Sequence, residues 1–209
     1  NPLKFKITPL IISLFFSTAA AHAQTKLVGE CALQFQITEQ KANGGVLPIG
    51  TKEVWVKGYQ CKTTLTTPQL VQTFLFNTQL DKATIIKDIG QSHFLQTIKY
   101  PPVSKISLLA QETIPTDTAT NILGYRCKAL QLKWSDGSVY DILYTDELSL
   151  TVNQFELVFK NVPGLVLSYT ITSAKGMRVK YQATKLDLSP LSLSLFIINN
   201  ELYQAIDEE

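Results

Sequence analysis

The chain has 209 residues, 45% of them hydrophobic and 17% charged, with 19 Lys and Arg against 17 Asp and Glu. So even a balance, with no basic block anywhere, excludes the clustered positive charge that nucleic-acid binding requires. The length suits one domain that buries a core of its own without help from bound metals.

Residues 1–23 read as an export signal. Lys4 and Lys6 form a short positive region, Ile7–Ala20 is apolar, and Ala21-His22-Ala23 is a small-x-small cleavage site. The run is too short, and too broken by Pro9, to span a bilayer. Cleavage would leave one mature domain, residues 24–209, with no transmembrane segment. Lys4 and Lys6 leave with the signal, which brings the 19 basic residues down to 17, equal to the 17 acidic ones.

Strand signals then follow one another. Cys31–Thr38 alternates, with Cys31, Leu33, Phe35 and Ile37 on one face. Ala42–Gly50 reads as a turn-rich loop, and Lys52–Lys57 as a strand with Val54 and Val56 on one side and Trp55 on the other. Lys57-Gly58 turns it into Tyr59–Leu65. Leu70–Thr78 carries the β-formers Phe74 and Phe76. Ala83–Lys87 and His93–Tyr100, which contains Phe94, flank a turn at Asp88-Ile89-Gly90-Gln91. Pro101-Pro102 ends that second strand, since proline cannot donate to a ladder. Lys105–Thr113 is expected to be a strand and Pro115–Thr120 a loop.

The most strongly marked stretch runs from Thr120 to Leu167. Asp136-Gly137 is a two-residue hairpin signal between arms Arg126–Trp134 and Ser138–Thr145. That turn pairs Trp134 with Val139 and Leu130 with Leu143 on one face, and Ala129 with Tyr144 and Gln131 with Ile142 on the other; a three-residue turn shifts every pair. Apolar residues on both faces imply a sheet partly covered on both sides. In Asp146–Lys160, Leu148, Val152, Phe155 and Phe159 recur at helical spacing and Asp146 is placed to cap, but Thr151, Val152 and Asn153 form helices poorly. Pro163-Gly164 fits a type II turn. Leu165–Ser173 and Arg178–Leu188 make a second hairpin, and the apolar tail from Ser189 is expected to pack along the sheet. The sum is a mainly β fold: an antiparallel meander of about ten strands with at most one or two short helices.

Chemistry-bearing residues are scarce. His22 leaves with the signal, so His93 is alone and supports neither a zinc site nor a Ser-His-Asp base. There is no G-x-S-x-G, no G-x-G-x-x-G and no P-loop. Asp136 and Asp146 have turn and cap roles, so no paired-carboxylate site stands out. The expectation is a non-enzyme without cofactor or metal. Cys31, Cys61 and Cys127 all lie beyond the signal, in a compartment where disulfides persist, and allow three pairings. The aromatic residues Trp55, Phe74, Phe76, Phe94, Trp134 and Tyr144 either pack the core or line a ligand groove on the concave face of an open sheet.

The G-Y-R-C-K of Gly124–Lys128, Tyr144-Thr145 and the N-V-P-G-L-V-L of Asn161–Leu167 resemble elements of the DUF4412 and GLPGLI-like families of exported Bacteroidetes proteins. Gly29-Glu30-Cys31 and the V-W-V-K-G of Val54–Gly58 fit the same group; Val162, where the group has Leu, and the extra Cys61 depart from it. The resemblance implies a fold of the LolA/LolB type, a strongly curved, incomplete antiparallel half-barrel. It implies a Cys31–Cys127 disulfide with Cys61 left over, and export to the periplasm or beyond in a Gram-negative envelope. Two functions follow. One is a carrier that holds an acyl chain or lipid in the concave face, with residues 146–160 as a lid hinged at Pro163 and Gly164. The other is an envelope structural or interaction protein with a filled core, whose partner is another envelope protein.

Overall fold

The computed structural model describes residues 25–41, 43–100, 112–152 and 155–206. The export signal, its cleavage site and Pro101-Pro102 lie outside them. The first leg of the sheet is β2 (Glu30–Gln40), β3 (Val46–Lys57), β4 (Gln60–Thr66), β5 (Val71–Asn77), β6 (Lys82–Ile89) and β7 (Ser92–Lys99). The second is β8 (Glu112–Ile122), β9 (Tyr125–Lys133), β10 (Val139–Thr145), β12 (Leu165–Thr172) and β13 (Arg178–Asp187). With the short β14 (Gln204–Ala205), they form one sheet in the order β14-β7-β6-β5-β4-β3-β2-β13-β12-β10-β9-β8. The chain therefore starts mid-sheet, meanders to one edge, resumes at the other and meanders back until β13 pairs with β2. Every pairing in this sheet is antiparallel except β14 with β7, and the two ends do not meet, so the barrel is open. The mainly β, mostly antiparallel sheet is what the alternation predicted; no α-helix occurs among the described residues.

The strands pack one face inward. Leu33 and Phe35 on β2, Val54 and Val56 on β3, Leu132 on β9, Ile142 on β10 and Leu167 and Tyr169 on β12 are all nearly or wholly buried. The chain between β10 and β12 covers this half of the face with Val152, Phe155, Phe159 and Val162. Its first part is β11 (Leu148–Leu150), which pairs in parallel with β1 (Lys26–Val28), and its last is a 3-10 turn, η1 (Leu157–Phe159). Among the described residues of 146–160 the expected α-helix does not form. The backbone of β11 bonds to β1 instead, and Asp146 pairs with Lys128 rather than capping. Val152, Phe155 and Phe159, at helical spacing in the sequence, are all buried in the core without an α-helix to carry them.

Three further expectations are corrected. Residues 115–120 belong to β8, where Pro115 sits opposite Leu130 on an edge strand, the one place in a sheet where a missing N–H costs little. The hairpin loop has three residues, Ser135, Asp136 and Gly137, closed by Trp134 N–H to Ser138 O at 3.0 Å and Gly137 N–H to Trp134 O at 3.1 Å. Gly137 takes φ 81°, and the extra residue slips every pair by one, setting Ile142 opposite Leu130. Finally, Cys31, Cys61 and Cys127 are all free thiols, each buried. Strands β13, β12 and β10 lie between Cys31 on β2 and Cys127 on β9. Cys31 and Cys61 flank Val56 from opposite sides, two strand spacings apart, about 9–10 Å against the 7 Å limit for a bridge.

Beyond β13 the tail crosses the outer face of the first leg through two 3-10 turns, η2 (Leu193–Phe196) and η3 (Asn200–Leu202). Glu30 accepts from Leu191 N–H at 2.7 Å, Lys62 donates to Leu195 O at 3.0 Å, and Ile206 N–H reaches Leu95 O at 2.8 Å. No helix among the described residues is long and apolar enough to cross a membrane.

Candidate functional site

The alternation of β3 places Lys52 on the same inward face as Val54 and Val56. Lys52 is 6% exposed. Its ammonium pairs with the carboxylate of Glu156, which arrives from the covering segment just before η1. The Tyr169 hydroxyl donates to the same Glu156 oxygen, Oε1, at 2.8 Å, and Lys52 Nζ lies 3.2 Å from that hydroxyl. Nζ and the hydroxyl thus converge on one carboxylate oxygen. Three rings close around the ammonium: Phe155 at 5.4 Å, Tyr169 at 5.7 Å and Tyr181 at 5.9 Å. Tyr169 and Tyr181 are cross-strand neighbours and stack at 4.3 Å with an 8° interplanar angle.

Burial sets the electrostatics. It pushes the Lys52 ammonium down to about 7, with the Glu156 carboxylate directly against it. Burial raises the Tyr169 phenol well above its ordinary range, with Tyr181 and Tyr140 adding to it, so Tyr169 stays a donor. An ion pair this dry is stable only with its remaining donors and acceptors satisfied, which the Tyr169 hydroxyl helps to do.

The covering segment shields one half of the inner face only. Between it and the first leg lies a groove of about 450 Å³. Leu65, Phe74, Ile85 and Ile98 form its wall on the β4–β7 side, and Leu157 and Val158 face them from the covering segment. Phe74, Phe76 and Tyr100 form a ring cluster with centroids 4.8–5.4 Å apart. Lys52 and Glu156 line the same groove, together with Tyr181. It is an apolar trough with one charged pair in its lining.

Of the residues singled out from the sequence, the structure brings Phe74 into the groove wall and buries Phe76 beside it. Phe94 stands on β7 opposite Lys87, outside the groove lining. Trp55 points to the outer face, where Lys62 Nζ sits 5.4 Å from its ring. Trp134 packs against Tyr140 at 5.8 Å beside the hairpin loop. Tyr144 lies against Gly164. Pro163 is exposed and Gly164 buried, at the point where the covering segment rejoins the sheet. His93 is exposed and paired with Asp88 at 2.8 Å. Sequence reasoning missed Lys52, Glu156, Tyr169 and Tyr181. The signal for Lys52 was its phase: two and four residues before Val54 and Val56, on the same side of the strand.

No protein-family model and no curated protein matches the chain, so the motif resemblance to DUF4412 and GLPGLI-like proteins has no such match behind it. Among solved structures, PNGF-II in space group P21 superposes with a TM-score of 0.53 at 14% identity, over 87% of this chain and 32% of that one. The chain spans about a third of the length of PNGF-II. MucB in complex with MucA(peri) gives a TM-score of 0.44 at 13% identity, over 82% of this chain and 55% of that one. A LolA superfamily protein from Nitrosomonas europaea gives 0.36 at 11% identity, over 81% and 90%. At such identity the likeness to PNGF-II is one of fold: this chain is a mainly β protein whose open antiparallel sheet is similar to part of that structure.

Proposed function

We propose that this is an exported, non-catalytic protein that binds a hydrophobic ligand, an acyl chain or lipid, in the groove of its open sheet. The observation that carries the reading is the division of the inner face. Residues 155–167 fill one half with their own side chains, while the β4–β7 half keeps an apolar trough of about 450 Å³, within the size range of small-molecule sites. A trough walled by Leu65, Phe74, Ile85, Ile98, Leu157 and Val158 is costly to leave wet. The export signal at residues 1–23 supports a place in the periplasm or outside the cell. Pro163 and Gly164 end the covering segment, where a hinge for its movement would lie.

A second reading is an envelope interaction protein. It draws support from the tail, where Leu193, Ile197 and Leu202 are 61%, 73% and 66% exposed. The deciding experiment is native mass spectrometry of protein purified without detergent, followed by titration with fatty acids and lysophospholipids. A stoichiometric adduct supports the ligand reading. If no adduct forms and pull-down retrieves an envelope protein that tail substitutions release, the interaction reading takes its place.

A further inference from the structure

We propose that the groove's ligand is a single-chain amphiphile with an anionic head group, and that this head group replaces Glu156 on Lys52. The proposal rests on the ligand-binding reading above and deepens it. Among the described residues Lys52 is the buried cation, and it lines the groove whose other walls are largely apolar. Two donors, Lys52 Nζ and the Tyr169 hydroxyl, already converge on a single carboxylate oxygen. That is the cradle a ligand carboxylate needs, and the occupant is a carboxylate supplied by the covering segment.

The two members of the pair differ in how free they are to leave. The Lys52 side chain is 7% exposed and grows from the middle of a strand hydrogen-bonded on both sides. The Glu156 side chain is 27% exposed and belongs to the covering segment, next to a single 3-10 turn. An anion entering along the groove can take the inner position while Glu156 swings to water at the mouth. One carboxylate replaces another, so no uncompensated charge is buried. A neutral head group leaves the ion pair in place and gains no charged partner, and a cationic one meets Lys52. The rings of Phe155, Tyr169 and Tyr181, all within 6 Å of the ammonium, keep competing water away and strengthen whichever anion is seated.

The test compares dodecanoate, dodecanol and dodecyltrimethylammonium, each below its micelle concentration, by titration calorimetry at fixed ionic strength. Wild-type protein is expected to bind dodecanoate about tenfold or more tighter than dodecanol. Glu156→Gln, which removes the resident carboxylate, is expected to raise the acid-to-alcohol affinity ratio by about a further tenfold. Lys52→Met, with its fold checked by circular dichroism, is expected to bring that ratio to about one. Equal affinity for acid and alcohol in the wild type, a preference for the ammonium, or a ratio unchanged by Glu156→Gln overturns the head-group exchange and leaves the groove reading standing. Failure of all three compounds to bind ends the ligand reading itself.

Discussion

Gly164 offers the most exacting test of the packing around the covering segment. Its N–H bonds back to Val162 O at 2.9 Å, a γ-turn closed over Pro163, and its φ is not left-handed. The glycine is required here by close approach. A Cβ at this position would stand 2.1 Å from Thr145 O, 2.8 Å from Thr145 C and 3.1 Å from Tyr144 Cδ2. A carbon and a carbonyl oxygen settle at about 3.3–3.6 Å, so the backbone must give way by about 1.2–1.5 Å. Neither side yields easily, because Thr145 is fully buried and pairs with Leu165 in the β10–β12 ladder. Overpacking a core costs about 1–3 kcal/mol, and here the obstacle is backbone, so Gly164→Ala is expected to lose about 3 kcal/mol. With an m-value of about 2 kcal/mol/M, the urea midpoint falls by about 1.5 M. Gly29→Ala is the control: nothing lies within 4 Å of its Cβ and its φ is not left-handed. It is expected to gain about 0.4–1 kcal/mol by restricting the unfolded chain. If Gly164→Ala melts within about 0.3 M of wild type, the close approach is wrong.

Tyr169→Phe removes the hydroxyl shared by Lys52 and Glu156 in a dry site and is expected to cost about 1–2 kcal/mol; an unchanged melting temperature would contradict that role. Stability is expected to rise with pH from about 7 towards 10.5, because burial lowers the Lys52 ammonium from 10.5 to about 7 and the unfolded chain then holds a proton that the folded chain has released. Glu156→Gln extends this rise to lower pH, and a flat unfolding free energy over that window refutes it. All three cysteines are expected to resist alkylation in the folded protein and to react in urea, since burial pushes Cys31 up to about 12 and raises Cys61 and Cys127 as well. Recovery of a peptide crosslinking Cys31 to Cys127 would overturn the free-thiol assignment.

Most of the first leg of the sheet was legible because alternation and turn residues agreed; residues 46–50, read as part of a loop, instead lengthen β3 and pair with β2. Cys31, Leu33, Phe35 and Ile37 share one face as expected, and Gly58 and Gly90 take positive φ at the turns where they were placed. What was not legible depends on contacts distant in sequence. The closure of β13 on β2, and the parallel pairing of residues 26–28 with residues 148–150, carry no local signal. The second of these replaced the helix that periodicity suggested. The hairpin loop was read one residue too short, since Asp136-Gly137 serves a three-residue loop as readily as a two-residue one. The Cys31–Cys127 bridge came from motif likeness, and motif likeness says nothing of the three strands between them.

The site was half visible. Phe74 lines the groove, but Trp55 falls on the opposite face, as the placement of Val54 and Val56 had already required. Lys52 shares that inward phase, where a lysine is rarely buried without a partner. Its partner is 104 residues away, on a segment whose approach no local pattern dictates.

The central claim is that the trough between the covering segment and the β4–β7 wing holds an acyl chain. It is tested most directly with a dodecanoic acid carrying a photoactivatable diazirine near its methyl end, irradiated on the purified protein and mapped by peptide mass spectrometry. The account predicts adducts on the peptides that carry Phe74, Ile85 or Ile98 and on the one that carries Leu157 and Val158, suppressed by excess dodecanoate. Adducts confined to the exposed tail residues Leu193, Ile197 and Leu202, or none that excess dodecanoate suppresses, would contradict it.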